Sequence, residues 1–138
     1  MITDNYERRI LKQFYPEEDY AVLIMVPAKK AYTSKSDVKR MRIIAGEIKA
    51  LHKMALMGEY WHAMTINGIL YSTVLGYDPN IAIDALAMGS IAAGLSGKGP
   101  SIAAIVPRDK VNDVRCAWEK YEGEIIETKI NRVKAHVL

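Results

Sequence analysis

Apolar residues are spaced differently in successive parts of the chain, and each spacing predicts a type of element. Residues 1–20 mix charged, polar and apolar positions without a period, which predicts an irregular segment or a short helix ending near Pro16. A continuous apolar run from Ala21 to Val26 follows and is closed by Pro27. An apolar run of this length before a proline is typical of a strand buried on both faces, so it predicts a central strand.

From Val38 to Ala55 the apolar residues recur every three or four positions, with charged residues between them. This spacing predicts an amphipathic helix. Ser34 or Ser36 can cap its start, and Asp37 stands three residues after Ser34 as in a capping box. Gly58 is the predicted end of the helix, because glycine readily takes the left-handed conformation that closes helices.

Two more helices are predicted before the chain returns to strands. Residues 59–75 are apolar nearly all round, which predicts a helix buried on most faces, and Gly76 marks its end. A third helix begins around Pro79, with Asp78 as its cap, and runs toward Ser90.

The last third of the chain predicts a strand, a glycine-rich turn, a strand, a helix and a strand. The strands are residues 92–95, 101–106 and 124–130, and the helix is residues 109–121, with Pro107 breaking the second strand and Gly123 ending the helix. With the first strand and its long helical crossover, this order is the split βαβ pattern of a ferredoxin-like sandwich. The predicted fold class is therefore α+β, with one antiparallel sheet, helices on one face and extra helices in the first crossover.

Length and composition agree with one ordinary globular domain. The 138 residues are 50% hydrophobic and 25% charged, which excludes disorder and low complexity. Cys116 is the single cysteine, which excludes a disulfide framework and a cysteine-based metal site. The start of the chain is charged where a signal peptide needs an apolar core, and the uncharged run from Tyr60 to Tyr77 is too polar to span a membrane. We therefore expect a cytoplasmic protein without a membrane partner.

Positive charge is concentrated in one stretch. Residues 21–57 contain eight Lys or Arg against two acidic residues, although the whole chain has a net charge of only +3. Six of these cations form a cluster, namely Lys29, Lys30, Lys35, Lys39, Arg40 and Arg42. Such a cluster attracts anions, but a solvated charged face is the simpler interpretation. Nucleic acid is disfavoured as a partner, because the cluster is short and Tyr32 is its only aromatic residue.

The sharpest local feature is the segment GLSGKGPS, residues 94–101. Its glycines permit positive φ and let backbone amides approach a phosphate or another backbone closely. It departs from a Walker A loop because Gly99 follows Lys98, and from the dinucleotide fingerprint because Ile102 stands where the third glycine belongs. From the residues alone, a phosphate-binding loop and a hairpin turn with glycines for geometry both remain open.

GLSGKGPS followed by an apolar strand resembles the third signature motif of the GHMP kinases, the superfamily of galactokinase, homoserine kinase and mevalonate kinase. That motif lies in their ferredoxin-like C-terminal domain, in agreement with the predicted fold. Three further segments are similar to archaeal-type shikimate kinases: TDNYERR at 3–9, VPAKKAYTSK at 26–35 and GEYWHAMTINGILYSTVLGYD at 58–78. The loop motif is specific for the superfamily, whereas shikimate as the substrate rests on the more diffuse matches.

The resemblance implies a kinase of two domains, of which this chain is one. GHMP kinases carry their main ATP-phosphate loop, of the form PxxxGLxSSxA, in an N-terminal domain, and no segment here is similar to it. The implied reaction transfers the ATP γ-phosphate to the shikimate 3-hydroxyl, with ATP and Mg²⁺ bound mainly by the N-terminal domain. We therefore expect residues 1–138 to be the C-terminal half of a shikimate kinase, inactive alone and without a catalytic residue or metal ligand. Another GHMP kinase, such as a homoserine kinase, and a non-catalytic ferredoxin-like module that binds a small ligand or RNA are the alternatives.

The resemblance also implies the phosphate-side residues. Ser96, Gly97 and Gly99 are expected to supply hydroxyl and backbone donors at the transfer site. Lys98 stands where the superfamily more often has Ser or Thr, so it either contacts a phosphate or points to solvent.

Substrate binding requires cations for a carboxylate and polar groups for hydroxyls. The first candidates directly follow the predicted central strand, where homoserine kinase also has substrate-side residues: Lys29, Lys30, Thr33, Ser34 and Lys35. For the lysines, surface charge is the alternative. Asn67 shares a helical face with Tyr60, Met64 and Tyr71, and it either caps a neighbouring loop or points into the substrate cleft.

The remaining polar residues indicate no chemistry of their own. His52, His62 and His136 have no ligand spacing, so they are interpreted as structural or surface residues. The late acidic residues predict a solvated face: Glu119, Glu122, Glu124 and Glu127.

Overall fold

The computed structural model describes residues 1–138 except 5, 17, 29–37 and 132–138. Its strands are β1 (Ile2–Asp4), β2 (Arg9–Lys12), β3 (Ala21–Pro27), β4 (Ala92–Leu95), β5 (Ile102–Val106) and β6 (Gly123–Lys129). Its helices are α1 (Val38–Ile43), α2 (Ala45–Leu56), α3 (Tyr60–Leu75), α4 (Asn80–Ala87) and α5 (Val111–Trp118). A 3-10 turn, Arg108–Lys110, precedes α5. None of the helices in these ranges is long and apolar enough to cross a bilayer.

Four strands form one antiparallel sheet in the order β4-β5-β3-β6. The apolar run lies at its centre, with Leu23 opposite Ala104 on one side and Glu127 on the other. Strands β5 and β6, which α5 connects, lie on either side of β3, and strands β3 and β4, which the helical crossover connects, lie on either side of β5. A third strand between two helix-connected strands is the arrangement of a split βαβ sandwich. The predicted fold class and the central position of β3 are therefore confirmed.

The core lies between one face of this sheet and helices α4 and α5. Alternate residues of β3 are fully buried, including Leu23 and Met25, because successive side chains of a strand point to opposite faces. Trp118 of α5 fills the centre of the layer with 0% exposure, and its indole N–H donates a hydrogen bond of 2.7 Å to the Ile81 carbonyl oxygen. The buried tryptophan is therefore paired as well as packed.

The N-terminal segment differs from the predicted irregular segment or short helix. Strands β1 and β2 form a two-stranded antiparallel hairpin. Asp4 Oδ1 accepts hydrogen bonds of 3.0 Å from the backbone N–H groups of Tyr6 and Glu7, and Arg8 takes a positive φ of 51°. The aspartate side chain thus forms the turn, a local chemistry that an apolar-periodicity pattern does not detect.

The prediction of one long helix from Val38 to Ala55 is also wrong in one respect, because the structure divides it into α1 and α2. Ile44 between them has φ −96° and ψ 14°, outside the helical region. Helix α1 has no buried residue, and Gly46 lowers the helical propensity just after the break. The predicted capping residues Ser34, Ser36 and Asp37 lie outside the described residues.

Helix α3 ends as predicted, at a left-handed Gly76 with φ 76°, but it is less buried than predicted. Its fully buried positions are Ala63, Gly68 and Ser72, whereas Ile66 is 41% exposed. Burial is limited because α3 packs against α2 and the edge strand β4, and these neighbours cover only part of its surface.

The other predicted boundaries agree with the structure to within a few residues. Asp78 Oδ1 accepts a hydrogen bond of 2.9 Å from the Asn80 N–H at the start of α4, which confirms its capping role. Helix α5 ends at Trp118, before the predicted Gly123. Gly123 instead opens β6, with a φ of 154°. A side chain is excluded at this position, because a Cβ would lie 2.2 Å from the Val26 carbonyl oxygen.

An ion pair and a hydrogen bond join α4 to the end of α5. The Asp84 carboxylate accepts a hydrogen bond from the Tyr121 hydroxyl and lies 2.7 Å from the Lys120 ammonium group. Hydrogen bonding by Lys120, and then by Tyr121, holds the pKa of Asp84 below its ordinary value. Burial, followed by the hydrogen bond to Asp84, raises the pKa of the Tyr121 hydroxyl.

Asp84→Asn is expected to lower stability at neutral pH and to have a smaller effect in acid. Because the folded-state pKa lies below the unfolded value of about 3.9, the carboxylate stabilises the fold above that value, and this contribution is lost as pH falls through the folded-state pKa. Urea unfolding of both proteins at about pH 7 and about pH 3 measures the difference. Glu119→Gln, at an exposed acid, is the control, and an equal effect of Asp84→Asn at both pH values would contradict the prediction.

Candidate functional site

The glycine-rich segment forms a closed turn between β4 and β5. Ser96 N–H donates a hydrogen bond of 2.9 Å to the Ser101 carbonyl oxygen, and Gly99 N–H donates one of 3.1 Å to the Ser96 carbonyl oxygen. Gly97 and Gly99 have φ values of 63° and 72°, in the left-handed region that disfavours side chains, and the Gly99–Pro100 peptide bond is cis. The positive φ that the glycines were predicted to permit is thus present at Gly97 and Gly99.

These internal bonds decide which donors of the turn remain available. The N–H groups of Ser96 and Gly99 are already used, whereas those of Gly97 and Lys98 donate no hydrogen bond to any described residue. Ser96, Gly97 and Lys98 are also exposed, and a Cβ on Gly97 would meet nothing within 4 Å. The tip of the turn therefore carries two adjacent amides, a hydroxyl and an ammonium group that have no partner among the described residues, and all four are groups that can donate to an anion.

Tyr77 supports the turn from the side of α3. A Cβ on Gly99 would lie 2.7 Å from Tyr77 Cε2 and 2.8 Å from Leu95 Cδ2, so both side chains pack directly on the Gly99 backbone. The tyrosine is positioned by the end of α3, where its N–H donates a hydrogen bond of 2.8 Å to the Ser72 carbonyl oxygen across Gly76. Tyr77 is not among the site residues predicted from the sequence, although an aromatic residue just after a helix-ending glycine is a recognisable signal.

A cleft of about 360 Å³ lies between α2, α3 and the N-terminal segment. Its lining residues are Met1, Ile2, Phe14, Ile48, Leu51, His52, Ala55, Tyr60, Trp61, Ala63, Met64 and Asn67. The rings of Phe14 and Tyr60 are stacked with centroids 3.9 Å apart, and Trp61 meets Tyr60 edge to face at 4.6 Å. A mostly apolar cleft with a few polar groups is the usual form of a small-molecule site.

Asn67 is the one predicted substrate residue that the described residues place at this cleft. It is half-buried on α3 and lines the cleft with Tyr60 and Met64, as their shared helical face predicted. Tyr71 of the same predicted face is half-buried but does not line the cleft. The Asn67 amide makes no side-chain hydrogen bond to a described residue, so capping of a neighbouring loop is not seen there.

The other predicted substrate residues lie outside the described residues: Lys29, Lys30, Thr33, Ser34 and Lys35. Of the same basic cluster, Lys39, Arg40 and Arg42 are exposed on α1. The four late glutamates are exposed as predicted, and Glu127 pairs with Arg115 at 2.8 Å.

Two of the three histidines are described, and both are exposed. His62 Nδ1 lies 2.9 Å from a Glu59 carboxylate oxygen, which agrees with a surface role. His52 lines the cleft, as do Phe14 and Trp61, and none of these three residues was predicted there. Phe14 and Tyr60 are far apart in the sequence, so no local pattern signals their contact.

The resemblance implies two kinds of bound group, the phosphates of ATP and a Mg²⁺ ion. The tip of the turn suits a phosphate, because two of its amides donate no hydrogen bond to a described residue and a Cβ on Gly97 would meet nothing within 4 Å. For a divalent cation, the described part of the chain offers no group of three or more His, Cys, Asp or Glu side chains. The described residues therefore suit the phosphate side of a nucleotide, and they contain no preformed cluster of metal-ligating side chains.

A family model and curated proteins match this chain. Residues 48–124, from α2 into β6, match the model described as "GHMP kinases C terminal". A shikimate kinase of Methanothermobacter thermautotrophicus is 44% identical over 99% of this chain, and one of Methanobrevibacter smithii is 40% identical over 96%. The matches span 47% and 46% of those proteins, so this chain spans about half the length of the curated relatives it matches.

Solved structures share the fold at lower identity. Homoserine kinase from Cytophaga hutchinsonii superposes with a TM-score of 0.54 at 15% identity, covering 94% of this chain and 47% of that one. A putative homoserine kinase from Listeria monocytogenes gives 0.52 at 21% identity, covering 85% and 42%. At these identities the likeness concerns the fold alone, and it agrees with the resemblance predicted from the loop.

Proposed function

Because this chain belongs to the GHMP kinases, as the C-terminal domain of that family, we propose that it is the substrate-side half of an ATP-dependent shikimate kinase. The observation that carries the proposal is the identity to shikimate kinases along almost the whole chain, from the N-terminal hairpin to β6. Homoserine kinases share the fold at much lower identity, so homoserine is the alternative acceptor that the experiment must exclude.

In this proposal the glycine-rich turn faces the phosphates of ATP. The N–H groups of Gly97 and Lys98 and the hydroxyl of Ser96 are the donors left free by the internal bonds of the turn. The 3-hydroxyl oxygen of shikimate forms a bond to the γ-phosphorus while the bond to the β–γ bridging oxygen breaks and ADP leaves. The hydroxyl proton passes to a base of the other domain or to solvent, and negative charge is spread over the phosphoryl oxygens during transfer. Donors held in fixed positions stabilise that charge without reorganising. Mg²⁺, when bound, would neutralise phosphate charge, and in this proposal it is held mainly by the N-terminal domain.

The cleft beside α3 is the proposed site of the acceptor. Shikimate combines an apolar ring face with hydroxyl groups and a carboxylate, and the cleft combines aromatic walls with the Asn67 amide. An amide both donates and accepts hydrogen bonds, as hydroxyl groups require. The carboxylate needs a cation, for which Lys29, Lys30 and Lys35 remain the candidates, with Thr33 as a hydroxyl partner.

The proposal divides the enzyme into two halves. The chain spans about half of its curated relatives, and the other half would supply the ATP-phosphate loop, most of the Mg²⁺ site and any general base. A partner domain from the same enzyme is therefore the proposed macromolecular contact, and a cytoplasmic location stays a prediction.

A coupled assay of ADP release tests this function. An enzyme joining this chain to an N-terminal GHMP kinase domain, its own or that of the Methanothermobacter relative, should turn over ATP with shikimate and not with homoserine. Residues 1–138 alone should show no turnover. Preference for homoserine would refute the proposed acceptor, and turnover by residues 1–138 alone would refute the division between two domains.

Asn67→Ala is expected to raise the KM for shikimate with little change in the KM for ATP. Loss of one hydrogen bond costs about 0.5–1.5 kcal/mol, which corresponds to roughly a twofold to tenfold increase. Thr73→Ala is the control, because Thr73 is exposed on α3 and bonds only to the Ile69 carbonyl oxygen of its own helix. Initial rates over a range of shikimate concentrations give both constants, and an unchanged KM for shikimate would remove Asn67 from the site.

A further inference from the structure

We propose that the direct contact between Gly68 of α3 and Gly94 of β4 is a positioning contact, which sets the glycine-rich turn at its working distance from the acceptor cleft. The inference rests on the function proposed above. It assigns a role in that reaction to two glycines that act through the helix and the strand they join.

The two backbones are in contact with no side chain between them. A Cβ on Gly68 would lie 2.4 Å from Gly94 Cα and 2.7 Å from Leu95 N, and a Cβ on Gly94 would lie 2.7 Å from the Met64 carbonyl oxygen. These neighbours are backbone atoms, so they cannot move aside as the end of a flexible side chain would. Any side chain at either position must push α3 and β4 apart.

Two further contacts hold α3 in register with the same strand and turn. Thr65 Oγ1 accepts a hydrogen bond of 3.2 Å from the Ala93 N–H, which satisfies an outward amide of the edge strand. At the other end of the helix, Tyr77 packs on Gly99. Helix α3 and the residues at its end therefore contact β4 and the glycine-rich turn at three points, Ala93, Gly94 and Gly99.

The same helix carries the acceptor-side residue. Asn67 precedes Gly68 and lines the cleft, whereas Gly94 leads directly into the turn that offers the free amides of Gly97 and Lys98. One rigid element therefore links the two sides of the reaction. Since ordinary contacts begin near 3.4 Å, adding a methyl group at Gly68 requires a displacement of about 1 Å.

A displacement of this size matters for phosphoryl transfer, in which catalysis consists mostly of positioning and charge stabilisation. Misplacing reacting groups by about 1 Å can cost on the order of a hundredfold in rate. Binding of ATP at the glycine-rich turn and of shikimate in the cleft depends less on the distance between the turn and the cleft. The expected signature is a fall in kcat with smaller changes in the two KM values.

The test compares Gly68→Ala with Gly46→Ala in the two-domain enzyme. Gly46 lies in α2, and a Cβ there meets nothing within 4 Å, so alanine at that position should leave kcat unchanged. Gly68→Ala should lower kcat at least tenfold per folded molecule, with folding checked by circular dichroism and thermal midpoint. Backbone amide NMR shifts of Gly97 and Lys98 should change in Gly68→Ala and not in Gly46→Ala.

A milder pair of variants applies if Gly68→Ala does not fold. Thr65→Val removes the acceptor of the Ala93 N–H at nearly constant volume, and Thr65→Ser retains it. Thr65→Val should lower kcat and shift the amides of the turn, whereas Thr65→Ser should restore both.

Unchanged kcat and unchanged amide shifts in Gly68→Ala, or in Thr65→Val where that variant replaces it, would overturn the positioning role. Failure of the proposed function would look different. If the wild-type enzyme used homoserine instead of shikimate, the acceptor would be wrong, and the same comparison of kcat among variants would be made with homoserine.

Discussion

Gly97→Val is expected to lower kcat and kcat/KM of the two-domain enzyme together, by about a hundredfold or more, the scale on which a preorganised donor acts. Gly97 has a φ of 63°, and a β-branched residue there costs about 1–3 kcal/mol of backbone strain. A valine side chain would also occupy the open space next to the two free amides of the turn. Steady-state kinetics with shikimate and ATP measure the effect.

Gly58→Val is the matched control for strain. Gly58 also has a positive φ, 110°, and open space around its Cβ, but it lies in the connection between α2 and α3. Both variants should lose thermal stability, whereas only Gly97→Val should lose kcat per folded molecule. A turn without a part in catalysis would instead show lost stability at both positions and unchanged kcat.

Trp118→Ala is expected to have the largest effect on stability, about 3–5 kcal/mol of unfolding free energy. The side chain is completely buried between the sheet and α4, and its removal leaves a cavity and eliminates the hydrogen bond to the Ile81 carbonyl oxygen. The difference is measured by urea unfolding. Because a loss of this size approaches the whole stability of a small domain, the variant is expected to be partly unfolded at room temperature.

Two neighbouring variants separate packing from other causes. Trp118→Phe keeps most of the volume but loses the indole N–H, so it should be destabilised less than Trp118→Ala. Cys116→Ala, at an exposed position of the same helix, should be nearly neutral. Equal free energies of unfolding for Trp118→Ala and Cys116→Ala would show that Trp118 does not belong to the stabilising core.

All four strands of the main sheet could be predicted from the sequence because their signals are local. The run from Ala21 to Val26 is apolar and ends at a proline, and the two strands beside the glycine-rich turn are short apolar runs with clear breakers. The structure places them within one residue of the predicted bounds. Asn67 was found in the same way, as a polar residue on a nearly apolar helix, and it lines the cleft.

Other features could not be read from the spacing of apolar residues. The N-terminal hairpin depends on the Asp4 side chain and a positive φ at Arg8, and the break at Ile44 lies inside an uninterrupted helical pattern. In the candidate site, the stack of Phe14 on Tyr60 joins residues that only the fold brings together. Tertiary contacts of this kind override or add to local propensity.

The sequence by itself determined the four strands of the main sheet, the helical segments between them and their order, and hence the split βαβ class, and its glycine-rich motif pointed to the family. These properties depend on residue spacing and on the backbone freedom of glycine, which act within a few residues. The tertiary structure decided which amides of the turn are free, which side chains form the cleft, and that Gly68 touches Gly94. Those features depend on contacts between residues that are far apart in the sequence. Such contacts are set by how helices and strands pack rather than by the residues next to each site.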